Sequence, residues 1–457
     1  MNDAEQRTID LAVALHKERK YADATHLYNC VLNRHPFNEG LMSLLADAYI
    51  RQEMTGLAVN LLTNALERNP KNSKAWNDLG IAFRKENRYE QAQKAYERSI
   101  EIAGDTVEAC ANMAGLYGDR AQPEQAIHWC DRVLAIEPGH TDAIWHKALA
   151  LLTQRKWPEG WDCYESRQQL DSWDSRKSIT APLWDFGQTD HLYIHGEQGI
   201  GDEVMFLSCL DEILPRARHV TVEVHPAVAG IVRTTWPTVS VVTQETTGDY
   251  SAKIPLGSLC ARLRRADDAF PGTSYLKPDE SLVEHYRARL TAIGPRPWIA
   301  VTWLGGVKAT RVEERSLNLS ELRPILDRYT CVSAQYEHVL PVIAKEREKE
   351  GLVCLDNLCV GKDIAHQAAL FKAVDAVVTV QQTAVHVAGA VGAKTFAMIG
   401  AAPHWRYGLE GNLPWYESVE LYRKCTDWAD VINRVDKDIA NFFRVSRAKS
   451  ATAQRAA

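Results

Sequence analysis

A chain of 457 residues has room for roughly two or three domains, and 46% hydrophobic with 25% charged residues is an ordinary globular composition. The net charge of -6 argues against a dedicated nucleic-acid binder, and no apolar run approaches the roughly 20 residues of a membrane span. The first residues, MNDAEQRTIDLAVALHKERK, lack the basic-then-apolar order of a secretory signal, so a cytoplasmic location is expected. The 10 cysteines make no Cys-x-x-Cys pair. Cys30, Cys130 and Cys209 are expected as reduced core residues, and no His/Cys/Asp cluster has zinc spacing, so no metal is expected.

From its start to about residue 170 the chain repeats every 34 residues. Pro36, Pro70 and Pro138 lie on one line of that grid, with Gly104 in the remaining slot. Ala24, Ala58, Ala92 and Ala126 lie on a second line closed by Gly160, and Tyr49, Phe83 and Tyr117 on a third. The stretch 73–106 carries the pattern most fully, with Trp76, Leu79, Gly80, Phe83, Ala92 and Tyr96. This is the tetratricopeptide (TPR) pattern of paired helices. The small residue sits where two helices cross closely, the aromatic fills the space beside it, and the proline ends the second helix. The reading gives an α-solenoid over 1–170 with about five helical pairs, the last one degenerate at Trp157, Trp161 and Tyr164. Such arrays bind partners and seldom do chemistry, and they often self-associate, so a homo-oligomer stays open.

Residues 171–190 carry no period and read as a linker. Beyond them strands and helices alternate: HLYIHG, then VMFLSCLDEIL, HVTVEVHP, AVAGIVRTTWP, VSVVTQ and AKIPLGSLCARLRR. Alternation of this kind predicts a parallel, doubly wound α/β lobe over 191–290. After the break at Gly294, Pro295 and Pro297, WIAVTWLG, LNLSELRPIL, TCVSAQ, DIAHQAALFKAV, DAVVTV, TAVHVAGAVG and KTFAMIG predict a second α/β lobe over 291–445. The small polar tail 446–457 is expected to be frayed or disordered.

Four segments could carry chemistry. In HGEQGIGDE, 195–203, glycines at 196, 199 and 201 expose N–H groups at a helix start and place Glu197, Asp202 and Glu203 at a strand's carboxyl end. An acid there could be a general base, or could merely cap the helix. LGGVKATRVEERS, 304–316, offers Lys308, Arg311 and Arg315 to a diphosphate, or is a solvated loop. In VQQTAVHVAGAVGAKT, 380–395, Gln381, Gln382 and Thr383 stand at a helix start that suits phosphate, with His386 one turn in as ligand or as core residue. The loop 403–423 concentrates His404, Trp405, Arg406, Tyr407, Trp415 and Tyr416, fit to stack on sugars or bases or to latch domains together.

The order GEQGIGD, then the Lys/Arg loop ending RSL, then DAVVTV–QTAVHVAGAVG, then HWRYG…PWY resembles bacterial TPR proteins with a glycosyltransferase tail. That tail is similar to heptosyltransferases, whose fold is two Rossmann-like domains of the GT-B type. The resemblance implies a metal-independent transfer of sugar from a nucleotide sugar, used as substrate with no cofactor, to an acceptor, expected to be a protein recruited by the TPR groove. It makes Asp202 the base, and Gly199, Gly201, Lys308, Arg315, Gln381, Gln382, Thr383 and His386 the donor and phosphate side. Glu197, Trp303, His404, Trp405 and Arg406 would be sugar or base contacts. The family commonly has Asp-Thr ahead of the phosphate-binding helix, where this chain has Gln381 and Gln382. That departure keeps a second expectation alive, a non-catalytic TPR scaffold with a degenerate transferase domain.

Overall fold

The computed structural model describes residues 1–170, 179–306, 312–335, 341–355 and 363–456. They form two compact parts, Met1–Leu151 and Leu152–Ala457.

The first part is a helical-repeat solenoid. Its pairs are Asp3–Lys17 with Tyr21–Leu32, Glu39–Arg51 with Thr55–Arg68, Ser73–Lys85 with Tyr89–Ala103, and Val107–Asp119 with Pro123–Ile136. Each second helix stops just ahead of Pro36, Pro70, Gly104 or Pro138, as the grid requires. Ala24, Ala58, Ala92 and Ala126 are buried at the crossings. Two further lines of the same grid emerge. Asn38, Asn72 and Thr106 accept the N–H groups of Leu41, Ala75 and Ala109, and His140 Nδ1 accepts that of Ala143, so the first helices of the second to fifth pairs are capped at one repeat position. Arg19, Glu53, Asn87, Ala121 and Arg155, 34 apart, all have positive φ between 53° and 62° and turn each first helix into its second. Cys30, expected inside, is exposed, while Cys130 and Cys209 are buried.

The second part begins within the fifth pair, since the helix Trp157–Tyr164 and the 3-10 turn Glu165–Gln169 belong to it. The division between the two compact parts thus falls inside the repeats expected over 1–170, after residue 151. Four parallel strands, β1 (Thr189–His195), β2 (Ala217–Glu223), β3 (Ser240–Val242) and β4 (Ala252–Pro255), run in the order β3-β2-β1-β4. Leu183, in the stretch read as linker, extends this sheet by a parallel bridge to Lys253. Six more strands form a second parallel sheet: β5 (Trp298–Val301), β6 (Thr330–Ser333), β7 (Val353–Cys354), β8 (Ala376–Val380), β9 (Thr395–Ile399) and β10 (Val419–Arg423). Their order is β10-β9-β8-β5-β6-β7. The strands β5, β8 and β9 are buried on both faces, which is why they read as unbroken apolar runs. The edge strand β10 lies in the segment expected as an aromatic loop. The helix Trp428–Ala456 packs Val431, Ile432, Val435, Ile439 and Phe443 into the core of the second sheet and runs on through the residues expected to fray.

A Cβ on Gly80 would stand 2.4 Å from the Tyr96 ring. Gly80→Ala is expected to destabilise the solenoid by about 1–3 kcal/mol, the usual cost of overpacking, read as a lowered midpoint in urea.

Candidate functional site

In open parallel sheets ligands bind beyond the carboxyl ends of the strands, where the strand order turns back. That point lies between β1 and β4 in the first sheet and between β5 and β8 in the second.

The first crevice is filled by the protein itself. Arg167, 1% exposed, reaches in from the turn that follows the last repeat helix. Its Nε and Nη2 donate to the two carboxylate oxygens of Glu197 at 2.7 and 2.8 Å, and Nη2 also donates to Ser258 Oγ at 2.9 Å. Glu197 Oε1 accepts the Gly257 N–H at 2.6 Å as well. Burial pulls the guanidinium's pKa down, but the Glu197 carboxylate more than reverses this and holds it above its ordinary value. Glu197, expected to face a sugar, is thus consumed by structure. Glu203 is buried too, accepting the His225 N–H at 2.8 Å, and leaves no room for a side chain at Gly196.

The second crevice is lined by the chain after β5 and after β8. Trp303, also expected as a ligand contact, is instead fully buried and donates to Glu346 at 3.0 Å. Gln335, which the sequence reading passed over, accepts the N–H groups of Trp303 and Leu304 at 2.9 and 3.0 Å and so shapes the turn after β5. Gly305 lies where a Cβ would be 2.8 Å from the Gln381 carbonyl and 3.0 Å from that of Arg315. The Glu314 carbonyl crowds Gly400 in the same way, so the short helix Val312–Arg315 rests on the ends of β5, β8 and β9. Lys308 and Arg311 lie outside the described residues. Past β8 the helix Thr383–Ala390 starts at Gln382, whose side chain does not cap it. Gln381, 2% exposed, has its Oε1 unpaired among the described residues, as is Nε2 of Gln382. Among the described residues, one unpaired amide atom from each of two glutamines thus stands beside a helix N-terminus at the turning point of the sheet.

The two helix starts meet. A Cβ on Gly201 would lie 3.3 Å from both Thr383 Oγ1 and His386 Cδ2. Gly199 caps the helix Ile200–Phe206, and its N–H donates to Asp202 Oδ2 at 3.3 Å. The other oxygen, Oδ1, takes a hydrogen bond from Arg406 Nη2. Asp202 and Arg406, 204 residues apart, form an ion pair with only 14% and 12% of their side chains exposed. Burial pulls the Arg406 guanidinium down from its usual value, opposed by the nearby Tyr407, Tyr164 and Tyr416. His386, expected on the phosphate side, is instead a core residue between tyrosines, with Nε2 3.3 Å from the Tyr407 hydroxyl and Nδ1 3.4 Å from that of Tyr416. Burial, with a lesser push from His404, lowers its pKa to about 3, so it is a neutral ring. Burial raises the Tyr407 phenol to about 12, against the opposing charges of Arg406 and Arg315. Trp405 is buried edge-on to Trp161 at 5.6 Å and packs near Tyr164, a latch rather than an open stacking surface. His404 lies beside it, 6.2 Å between ring centres. Asp436 and Asp438, a metal-like pair by letter, are bound to Arg328 and Tyr422.

The tetratricopeptide repeat protein 21 C-terminal ARM domain family matches residues 37–144. Protein FlbA of Caulobacter vibrioides is 28% identical over 422 residues, covering 84% of this chain and 70% of that protein. The uncharacterised protein ycf37 of Porphyra purpurea is 30% identical over 107 residues, which is 22% of this chain and 62% of that one. Among solved structures the chain is similar to a thermophilic TPR protein of Thermus thermophilus, TTC0263, at 17% identity and a TM-score of 0.34, covering 37% of this chain and 93% of that one. It is also similar to YrrB, described as a TPR protein with an unusual peptide-binding site, at 17% identity and a TM-score of 0.29 over 36% of this chain and 84% of that one.

The buried His386 yields a pH prediction. Its ring titrates near 6.5 when unfolded and near 3 in place, so the unfolded chain binds the extra proton between those values. Its contribution is fully present above about pH 6.5 and is lost as pH falls toward 3, amounting to roughly 2 kcal/mol between pH 7 and pH 5. In His386→Gln, which does not titrate, urea melts of the second part should lose that share of the pH slope.

Proposed function

We propose that the chain is a glycosyltransferase of the two-lobed GT-B type, which moves a sugar from a nucleotide sugar to a protein held by the repeat array. The observation that carries the reading is the turning point of the six-stranded sheet. There a helix N-terminus, with unpaired amide atoms of Gln381 and Gln382 beside it, touches Gly201 of the helix that carries Asp202, and Asp202 is paired with Arg406. Such a helix start attracts phosphate through its unpaired N–H groups and dipole. The strand order of that sheet, β7-β6-β5-β8-β9-β10, is also that of a dinucleotide-binding Rossmann sheet.

The chemistry follows from an exchange of partners. A carboxylate tied to a guanidinium is a poor base, since the cation favours its charged form. When the donor diphosphate arrives, Arg406 turns from Asp202 to the phosphate oxygens. The freed carboxylate takes the proton of the acceptor hydroxyl as that oxygen bonds to the sugar's anomeric carbon. The bond from that carbon to the diphosphate breaks, and the nucleoside diphosphate leaves with the electron pair, neutralised by Arg406, Arg315 and the helix start. No metal is needed for this step. The TPR array supplies the protein acceptor, as such solenoids bind partners along their length.

A second reading is favoured by the same ion pair. If Arg406 never releases Asp202, the α/β lobes hold a nucleotide or only a fold, and the chain is a scaffold. Thermal shift against UDP-, GDP-, CMP- and ADP-linked sugars separates the two. A donor at a hundred times its dissociation constant should stabilise the chain by roughly 2.7 kcal/mol. Asp202→Asn should then lower transfer by about 100-fold or more without weakening donor binding, since Arg406 no longer has to leave a carboxylate. Silence across the panel in a folded sample would overturn the transferase reading in favour of the scaffold.

A further inference from the structure

The 196–199 loop, which leads into the helix that carries Asp202, is held by side chains from outside it. Gln198, two residues before the Ile200–Phe206 helix, sits at φ 64°, a left-handed conformation that a residue with a side chain adopts only under constraint. The constraint comes from the end of the repeat array. Tyr164, the last residue of the fifth pair's second helix, accepts the Gln198 Nε2–H at 2.5 Å. Three residues on, Arg167 holds the neighbouring Glu197 by both carboxylate oxygens and is anchored in turn to the Tyr164 carbonyl at 3.2 Å. The same short helix reaches the opposite lobe through Trp161, whose ring meets Trp405 next to Arg406. Trp161, Tyr164 and Arg167, spaced three apart, therefore touch Trp405 next to Arg406 and Gln198 and Glu197 ahead of the Asp202 helix.

We propose that Tyr164 and Arg167 are positioning residues: the terminal turn of the repeat array clamps the 196–199 loop in its strained form and so sets the height at which Asp202 faces Arg406. The role in turnover rests on the transferase reading, whereas the clamp itself does not. A tandem array whose last turn is built into the working domain has a direct route from acceptor binding to the base.

The test uses the full chain with Arg167→Lys, which keeps the charge but loses the forked grip, and Tyr164→Phe, which leaves the ion pair intact and removes only the bond to Gln198. Amide hydrogen exchange at 198–203 should quicken at least tenfold in both, with the amides of β8 and β9 unchanged. At temperatures well below melting, kcat should fall at least tenfold while the donor KM stays within twofold. A merely structural role predicts a lower melting temperature with kcat unchanged in the folded protein, and that result overturns the proposal. Unchanged exchange at 198–203 in folded variants also overturns it. Should Arg167→Lys fail to fold, Tyr164→Phe alone decides. If the wild type transfers no sugar from any donor, the transferase reading fails, and the exchange measurement judges the clamp by itself.

Discussion

A guanidinium with 1% of its surface exposed cannot remain inside a protein without a carboxylate to meet it. Arg167 and Glu197 satisfy that condition for one another, and much of the second part is arranged around the place where they meet. Glu197 also receives the Gly257 N–H, and Ser258 bridges Arg167 to Glu165, so two segments of the first sheet's carboxyl edge and the turn after the repeat helix converge on one ion pair. Breaking such a pair from one side leaves an uncompensated buried charge, a loss of about 3–5 kcal/mol. The last turn of the repeat array is accordingly as much a part of the α/β region as the strands are, which explains why the compact parts divide at residue 151 and not at the end of the repeats.

The two parallel sheets use the same topological opening differently. In the four-stranded sheet it is closed by Arg167, and in the six-stranded sheet it is bordered by a helix N-terminus and by amide groups that have no partner among the described residues. An unpaired buried polar atom costs free energy, and the Gln381 and Gln382 atoms carry that cost beside a helix start whose dipole favours anions. The neutral His386 fits this account better as a wedge than as a ligand. Wedged between Tyr407 and Tyr416, it fixes the helix against the segment that delivers Arg406.

The repeat array was legible because its signal is periodic and made of residues chosen for volume: alanine at the crossing, aromatic beside it, proline at the stop. Its turns were not, because Arg19, Glu53, Ala121 and Arg155 adopt positive φ without a glycine to mark it. The strands of the second sheet's interior could be read as apolar runs, whereas β7 with two residues and β10 within an aromatic-rich stretch could not. At the site, strand-to-helix loops were visible from glycine placement, and Asp202, Gln381, Gln382 and Thr383 do stand at helix starts. What the sequence hid was pairing over long separations. Nothing in GEQG shows that Glu197 is matched by an arginine 30 residues earlier, and nothing in HWRYG shows that Arg406 meets an aspartate 204 residues away. Trp303 and Trp405 look alike in sequence to ligand-stacking rings, but a tryptophan following a fully buried four-residue strand has its indole in the core. For Trp405 the latch alternative was legible, because Trp157, Trp161 and Tyr164 in a degenerate last repeat imply a matching aromatic partner elsewhere.

The central claim is that an anionic donor at the second sheet's turning point takes Arg406 away from Asp202. The most direct measurement is a crystal structure of the chain with the nucleoside diphosphate that gives the largest thermal shift. The account predicts the diphosphate at the start of the Thr383–Ala390 helix, within hydrogen-bonding reach of Gln381 or Gln382, with Arg406 on its oxygens and Asp202 released. A nucleotide ordered elsewhere, or one bound there with the Asp202–Arg406 pair still closed, would contradict it.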